Sequence, residues 1–355
     1  MAQSAQKSGA AGSSTFSGSD SRRYNYFEAA GRRATVYEDV TVDVQPDPRR
    51  HLLQGWIMSF ADGTPSYSED ATVIKCSDWH VYRAPDQEWE RTHFQRQSHI
   101  ENTIKMVVDN ARAAGAPDRF DKNWVSVLEN HLGALKHAEF GIGIALTKAQ
   151  RDGVTQMVNN TMLTNSSYKY RLAQDITLYL GDIGLDIDID GDAGKKTWLE
   201  DEAWQGVRKA VEAIMAATDY IEVYFAVNVV YEALVGELFR SGFIMRAGAA
   251  HNDYVTPAVV SAAESDYQRN LANTVSLLSM LNGDAEHGDA NKAIMQGWLK
   301  THLPLCTGAA EQLQAVWGIE DNDDLDFGSV FADAKDKFRS ILSAIDVNLP
   351  EGTSL

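Results

Sequence analysis

Apolar residues recur every three to four positions between about residues 86 and 345, which is the period of an amphipathic α-helix. Gly115-Ala116-Pro117 ends one of these periodic stretches, and Thr256-Pro257 begins another. No internal repeat and no series of parallel strands is apparent, so the sequence predicts a mainly α protein. The predicted helices span residues 86–114, 120–151, 153–181, 197–217, 218–241, 256–282, 286–302, 304–317 and 326–345.

The chain before residue 86 has a different composition. Residues 1–22 are mostly small and polar and bury too little apolar surface to offset chain entropy, so we expect a disordered tail. Residues 23–85 contain more Pro and Tyr, with β-favouring runs at 34–37 and 40–42. We expect 23–85 to be an extended arm that contacts a partner subunit, followed by a helical domain over 86–345 and a C-terminal tail over 346–355.

Charge and cysteine content exclude several classes of protein. Fifty acidic residues against 32 basic ones give a net charge of −18, which repels nucleic acid and anionic membranes. The sequence has no apolar signal core and no run of 18 apolar residues, so neither export nor membrane spanning is predicted. Cys76 and Cys306 are far apart, which predicts neither a disulfide framework nor a zinc site and fits a reducing cytoplasm.

A carboxylate-bridged di-iron site in a helical bundle would require two Glu-x-x-His motifs and two further glutamates. The sequence contains one clear instance, Glu90-Arg91-Thr92-His93. One copy cannot build such a site, and a single match in a polar helix is mostly chance.

Four segments nevertheless resemble the hydroxylase subunits of soluble bacterial multicomponent di-iron monooxygenases. The stretch 77–86 is similar to the one that opens these subunits, and 131–140 is similar to the helix carrying the first iron-ligand glutamate. Residues 168–174 and 266–270 resemble the two Asp-Glu-x-Arg-His motifs that bind iron in the catalytic α subunit of these enzymes. The resemblance spans roughly residues 78–270 and implies a ferritin-like helical bundle.

The resemblance also assigns the iron-ligand positions. Glu139 falls on the first ligand, whereas a lysine, a leucine, a tyrosine and an asparagine occupy four others. The third ligand aligns with either Asn228 or Glu232. These replacements imply a β, or small, hydroxylase subunit with no catalytic residue, metal or cofactor of its own. The degenerate positions are Glu139, Lys169, Leu172, Tyr267 and Asn270.

The family implies specific partners and cofactors. A hydroxylase α subunit would hold the two irons in an α2β2 assembly, and a reductase with FAD and a 2Fe-2S centre would pass on electrons from NADH. A small coupling protein would gate the reaction. Segments such as 79–85 and 168–170 look most like those of propane oxidisers, with phenol, acetone and alkene oxidisers as alternatives.

Because the resemblance assigns Glu139 and Lys169 to ligand positions of one site, we expect a buried ion pair between them in place of the metal. A competing hypothesis is a metal-dependent oxidase with an unfamiliar ligand set, and a third is a free-standing helical adaptor. The ligands of that competing oxidase would be Glu90, His93, Glu129, Glu139 and Glu232.

Other conspicuous residues have structural interpretations. His131 and His137 lie on different faces of a helix, and Asp266 with Arg269 has the spacing of a structural ion pair. The acidic run 186–192 resembles a calcium loop, but position 12 would be Thr197 rather than glutamate, so we expect a connecting loop. The aromatic residues Trp198, Trp204, Tyr220, Tyr224 and Tyr231 are expected to pack in the core.

Overall fold

The computed structural model describes residues 27, 29–43, 70–318, 325–352 and 355. The predicted tail over 1–22 and residues 44–69 of the predicted arm lie outside this part of the chain. Within it, all regular secondary structure is helical, which confirms the predicted all-α class.

The prediction of β-favouring structure at residues 34–42 is wrong. Helix α1 spans Val36–Thr41. Thr35 caps it, since its hydroxyl accepts from the backbone N–H of Glu38 at 3.3 Å while Glu38 Oε2 accepts from the N–H of Thr35 at 3.0 Å. This reciprocal cap satisfies two backbone donors and outweighs the strand propensity of the valines and threonine.

The helical domain begins with α2, Glu90–Ala113. The remaining α-helices are α3 Lys122–Val127, α4 Gly133–Asp152, α5 Gln156–Ile183, α6 Ala193–Glu200, α7 Glu202–Ala216, α8 Tyr220–Phe225, α9 Glu237–Phe239, α10 Met245–Ala247, α11 Thr256–Asn282, α12 Gly288–Trp317 and α13 Phe327–Ala344. Three π-helical stretches join some of them into continuous rods: Leu128–Leu132, Ala226–Gly236 and Arg240–Ile244. Short 3-10 turns span Trp79–Val81, Pro117–Arg119 and Gly248–His251.

Four predicted helices differ most from the observed ones. The helix predicted over 197–217 is two helices, α6 and α7, divided at Asp201. The helix predicted over 218–241 continues through π-helical turns to His251. The helices predicted over 286–302 and 304–317 are one helix, α12, with Pro304 inside it. An interior proline removes one hydrogen bond, but Leu303 and Cys306 on either side are buried, and this packing offsets that loss.

The rod that begins at α8 forms the centre of the bundle. Every residue of its π-helical stretch Ala226–Gly236 is buried, which is the pattern of a helix surrounded on all sides. Helices α4, α5, α11, α12 and α13 pack around this rod, so side chains from α4, α5 and α11 meet beside it. In the described residues, no helix is both long and apolar enough to cross a lipid bilayer.

Candidate functional site: a buried ion cluster

The predicted contact between Glu139 and Lys169 is present at the centre of the bundle. The ammonium Nζ of Lys169, from α5, donates to Glu139 Oε2, from α4, at 2.7 Å. The same ammonium donates to Glu232 of the central rod. All three side chains are 0% exposed, so each charge depends on its neighbours for stabilisation.

A second cation, Arg240, completes the cluster and was not predicted from the sequence. Its Nη1 donates to Glu139 Oε1 at 2.9 Å and its Nη2 to Glu232 Oε2 at 2.6 Å. Its Nε donates to Glu264 Oε1, from α11, at 2.7 Å. Glu139 and Glu232 therefore each bind both cations. We call Glu139, Lys169, Glu232, Arg240 and Glu264 the ion cluster.

The electrostatics of the ion cluster follow from its geometry. Burial alone would raise the pKa of Glu232, but Arg240 and Lys169 outweigh it and hold that pKa at about 2. Burial alone would lower the pKa of Arg240, yet the neighbouring carboxylates raise it well above its ordinary value. The Lys169 ammonium also lies 4.9 Å from the ring centroid of buried Tyr168, which adds a cation–π contact.

Glu237 extends the ion cluster toward α13. It binds the ammonium of Lys337, and its Oε1 accepts from Gln268 Nε2 at 3.1 Å. Burial raises the pKa of Glu237 to about 7, with Lys337 opposing the rise and Glu264 adding to it. Glu237 and Glu264 are neighbours at the edge of the cluster, so a proton near neutrality belongs to this carboxylate pair, with Glu237 the member whose pKa is raised.

Glu232, rather than Asn228, lies beside Glu139. Asn228 Oδ1 instead accepts from Asn165 Nδ2 at 2.9 Å. The two residues are four positions apart, about one helical turn, and therefore lie on the same side of the helix. For that reason the sequence alone did not decide which of them aligns with the third ligand. Glu232 is the one of the two whose side chain contacts Lys169 and Arg240.

The other degenerate positions are buried but hold no charge. Leu172 packs in the apolar core. The hydroxyl of Tyr267 donates to the backbone carbonyl of Asn228 at 3.2 Å, and Asn270 Nδ2 donates to the carbonyl of Asp266 at 2.8 Å. Tyr267 thus bonds to the backbone of the central rod, and Asn270 to the preceding turn of its own helix.

The predicted ion pair between Asp266 and Arg269 is present at 3.3 Å and belongs to a larger network. Fully buried Asp266 also binds Arg171 at 2.9 Å, as well as Arg96. Arg96 and Arg269 each also form an ion pair with Glu88. These contacts connect α11 to the residues that precede α2. The predicted pair is therefore one contact in a network of ion pairs.

Glu90 and His93 do not face a common site. Glu90 is exposed, whereas His93 is buried with its Nδ1 at 2.8 Å from Glu88 Oε2. Glu129 lies elsewhere and accepts from the backbone N–H of Asp190. The ligand set of the competing oxidase hypothesis therefore does not converge, and its two neighbouring members, Glu139 and Glu232, are both bound to cations.

His131, His137 and the acidic run 186–192 make contacts with nearby side chains, as expected. His131 is buried and its Nδ1 accepts from Trp204 Nε1 at 2.9 Å. His137 lies on another face, stacked on Trp198 with 6.4 Å between ring centroids. In the acidic run, Asp186 pairs with Arg112. The expected core aromatics Trp204, Tyr220, Tyr224 and Tyr231 are buried, and Trp198 is packed partly buried against them.

The residues of the ion cluster do not fit a di-iron centre. Such a centre needs free carboxylates and imidazoles, whereas Lys169 and Arg240 occupy the oxygens of Glu139 and Glu232. Across 70–318 and the other described stretches, no group of three His, Cys, Asp or Glu side chains has an arrangement that could hold a metal ion. What the cluster can do is join four helical segments through buried charge.

Comparisons with known proteins match this fold and sequence. The family described as Methane/Phenol/Alkene Hydroxylase matches residues 56–285. The small subunit of the hydroxylase component of propane 2-monooxygenase from Mycolicibacterium smegmatis is 41% identical, over 96% of this chain and 93% of its own length. The component A beta chain of methane monooxygenase from Methylosinus trichosporium is 23% identical over 83% of this chain and 78% of its own.

The fold is also found among solved structures. A chain of phenol hydroxylase from Pseudomonas sp. OX1 superposes with a TM-score of 0.77 at 17% identity, covering 93% of this chain and 97% of that one. At this identity the likeness concerns the fold, the ferritin-like helical bundle. Taken with the family match over residues 56–285, the comparisons establish that the chain belongs to the methane, phenol and alkene hydroxylase family.

Proposed function

We propose that this chain is the non-catalytic β subunit of a di-iron monooxygenase hydroxylase that oxidises a small hydrocarbon. The observation that carries the proposal is the occupation of Glu139 and Glu232 by Lys169 and Arg240. A carboxylate pair that is bound to two buried cations cannot also bridge two irons, since the same oxygens serve both purposes. The subunit then acts as a scaffold for a sibling chain.

The substrate we propose is propane or a similar short alkane. Identity to the propane 2-monooxygenase small subunit is 41%, against 23% to the methane monooxygenase beta chain. Phenol, acetone and alkene oxidation are the alternatives. Substrate contacts would belong to the partner, because Glu139, Lys169, Glu232 and Arg240 are fully buried and bound to one another.

The partner we propose is a hydroxylase α subunit that holds the di-iron centre, in an α2β2 assembly. A reductase carrying FAD and a 2Fe-2S centre would supply electrons from NADH, and a coupling protein would complete the system. We place this assembly in the cytoplasm. The 23–85 arm is proposed to contact the α subunit, and residues 1–22 and 346–355 to be the terminal tails of the chain. Within the second tail, Val347 packs in the hydrophobic core of the helical domain.

Co-expression with a large hydroxylase subunit of the same family tests the proposal. Affinity purification through a tag on this chain is expected to recover the large subunit with its iron. Iron analysis of this chain purified alone is expected to give a substoichiometric value. Two irons per chain, or failure to recover any large subunit, would overturn the assignment.

A further inference from the structure

Three buried asparagine side chains near the centre of the bundle have a carbonyl oxygen that binds no protein donor. They are Asn165 on α5 and Asn270 and Asn273 on α11, and none is more than 1% exposed. Among the described residues, no N–H or O–H group donates to the Oδ1 atom of any of the three. Buried polar atoms in folded proteins almost always bind either protein or ordered water, because an unbound one loses its hydration without compensation. The three oxygens therefore need donors from another source.

The orientation of each amide is fixed by its nitrogen. Asn273 Nδ2 donates to Asp86 Oδ2 at 2.9 Å, and Asn270 Nδ2 donates to a backbone carbonyl of the preceding turn at 2.8 Å. Asn165 Nδ2 donates to Asn228 Oδ1 at 2.9 Å, and Asn228 itself is oriented by a bond from its Nδ2 to the carbonyl one turn earlier. Turning any of these amides would place oxygen against oxygen. The atom left without a partner is therefore the acceptor in all three residues.

Asn165 lies where α5 packs on the central rod. Thr161, Asn165 and Lys169 follow at intervals of four residues and line one side of α5. Asn228 and Glu232 have the same interval on the rod. Asn165 binds Asn228 as Lys169 binds Glu232, so the pair of asparagines lies one turn away from the ion cluster.

Helix α11 supplies the third side of this region. The hydroxyl of Tyr267 donates to the backbone carbonyl of Asn228 at 3.2 Å, which places that turn of α11 beside the asparagine pair. Asn270 and Asn273 follow Tyr267 at intervals of three residues and continue along the same side of the helix. We call Thr161, Asn165, Asn228, Asn270 and Asn273 the polar seam.

The polar seam approaches the surface at the end away from the ion cluster. There Asn273 binds Asp86, whose side chain is 13% exposed. The hydroxyl of buried Tyr82 donates to the backbone carbonyl of Asn273 at 3.3 Å and lies 3.4 Å from Thr161 Oγ1. Amides, hydroxyls and a carboxylate thus surround the three oxygens. A buried water molecule persists in such a setting, where it has two or more polar partners.

The chemistry of the polar seam selects water over other ligands. The three oxygens are acceptors, and one water molecule can donate to two of them. An apolar ligand would leave the oxygens unpaired. A metal cation would be repelled by the ammonium of Lys169, which lies one turn from Asn165.

We infer that the polar seam is a binding site for internal water, which donates to Oδ1 of Asn165, Asn270 and Asn273. Asn270 stands at one of the degenerate ligand positions, so water binds next to the ion cluster on the side where this chain has replaced a metal ligand by an amide. The inference concerns residues of this chain alone and does not depend on the proposed function.

A crystal structure of the full-length chain, at a resolution that locates ordered water, tests the site directly. Density is expected about 2.7–3.2 Å from Oδ1 of Asn165, Asn270 and Asn273. Asn291 is the internal control, because it is also 1% exposed but its Oδ1 accepts from the backbone N–H of Lys75 at 3.1 Å. No water is expected there. Three oxygens without water, or bound by protein donors alone, would overturn the inference.

A substitution of nearly equal shape tests the same site in solution. Asn270→Leu removes the oxygen and also the bond from Nδ2 to the carbonyl of the preceding turn. If Oδ1 binds water, the leucine forfeits those hydrogen bonds and the urea midpoint is expected to fall. If Oδ1 were dry, the leucine would remove an unpaired buried group and the midpoint would rise. A rise would overturn the inference.

Asn291→Leu sets the scale for this comparison. It removes one bond from the backbone of Lys75 and two bonds from Nδ2 to the carbonyls of Lys75 and Leu281. Its urea midpoint is expected to fall further than that of Asn270→Leu, because direct bonds to protein are lost. Crystals of Asn270→Leu are expected to lose the water beside position 270 and to keep the one at Asn273. Density that persists unchanged beside the leucine would show that Asn270 does not bind it.

Discussion

Arg240 and Glu139 lie 101 positions apart in the chain, yet Nη1 of the arginine donates to Oε1 of the glutamate at 2.9 Å with both side chains fully buried. The same guanidinium reaches Glu232 and Glu264, so one side chain bridges three carboxylates from different segments. Removing it would leave an excess of buried negative charge, and the cluster should fail as a unit.

Replacing Arg240 with Met is therefore expected to lower the free energy of unfolding by about 3–5 kcal/mol, the range for breaking a buried pair from one side. Urea denaturation at neutral pH measures the change. The control is Arg208→Met, whose partner Glu212 is 57% exposed, and its expected cost is below about 1 kcal/mol. Equal losses in the two variants would contradict a special role for Arg240.

Lys169→Ala is expected to destabilise the chain by about 3 kcal/mol, since it removes the ammonium that Glu139 and Glu232 share. Lys105→Ala is the control, because the Lys105 side chain is 72% exposed and pairs with Asp109, which is itself 51% exposed. Guanidinium denaturation compares the two. A loss below about 0.5 kcal/mol for Lys169→Ala, the scale of an exposed pair, would count against the buried pairing.

Gly236→Ala tests the space that the ion cluster requires. A Cβ at this position would lie 2.8 Å from Glu232 Oε2 and 2.9 Å from Arg240 Nη1. The crowding is expected to cost about 1–3 kcal/mol despite the better helix propensity of alanine. Gly297→Ala on α12 meets nothing within 4 Å and is expected to stabilise by up to about 1 kcal/mol. Thermal melting of the two variants measures whether each substitution lowers or raises the stability. Stabilisation by both would contradict the close packing of Glu232 and Arg240 around Gly236.

The titration of Glu237 predicts a dependence of stability on pH. Its pKa is about 7 in the folded chain against an ordinary value of 4.5, because burial, reinforced by Glu264, outweighs Lys337. The folded state thus holds a proton that the unfolded chain releases, so this contribution to stability is complete below pH 4.5 and is lost as the pH rises through about 7.

Glu237→Gln should remove that contribution, since glutamine cannot ionise. The urea midpoint of the unmodified chain is expected to fall between pH 5 and pH 8 by more than that of the variant. Other groups titrate in both proteins, so the difference between the two profiles isolates Glu237. Parallel profiles would show that Glu237 does not titrate in this range.

The helical class and most of the helices could be predicted because they follow from the period of the apolar residues. The Glu139–Lys169 contact could be predicted because both residues align with ligand positions of one site. Arg240 could not be predicted, because its alignment with Glu232 depends on π-helical turns that a 3.6-residue period does not describe. The sequence offered one signal for Arg240, an arginine that closely follows the largely apolar stretch 226–236. The continuity of α12 through Pro304 was also missed, since its stability comes from tertiary packing.

The π-helical turns of the central rod fix the number of residues that can separate Glu232 from Arg240. Glu232 and Arg240 are eight positions apart and meet the same partners on one side of the rod, where π-helical turns bring them into register. Deleting one residue between them would rotate everything downstream by about 100° and swing the guanidinium away from the carboxylates. Homologues should therefore tolerate exchanges of side chains in this stretch more readily than gaps, and an alignment that opens one here should be regarded with suspicion.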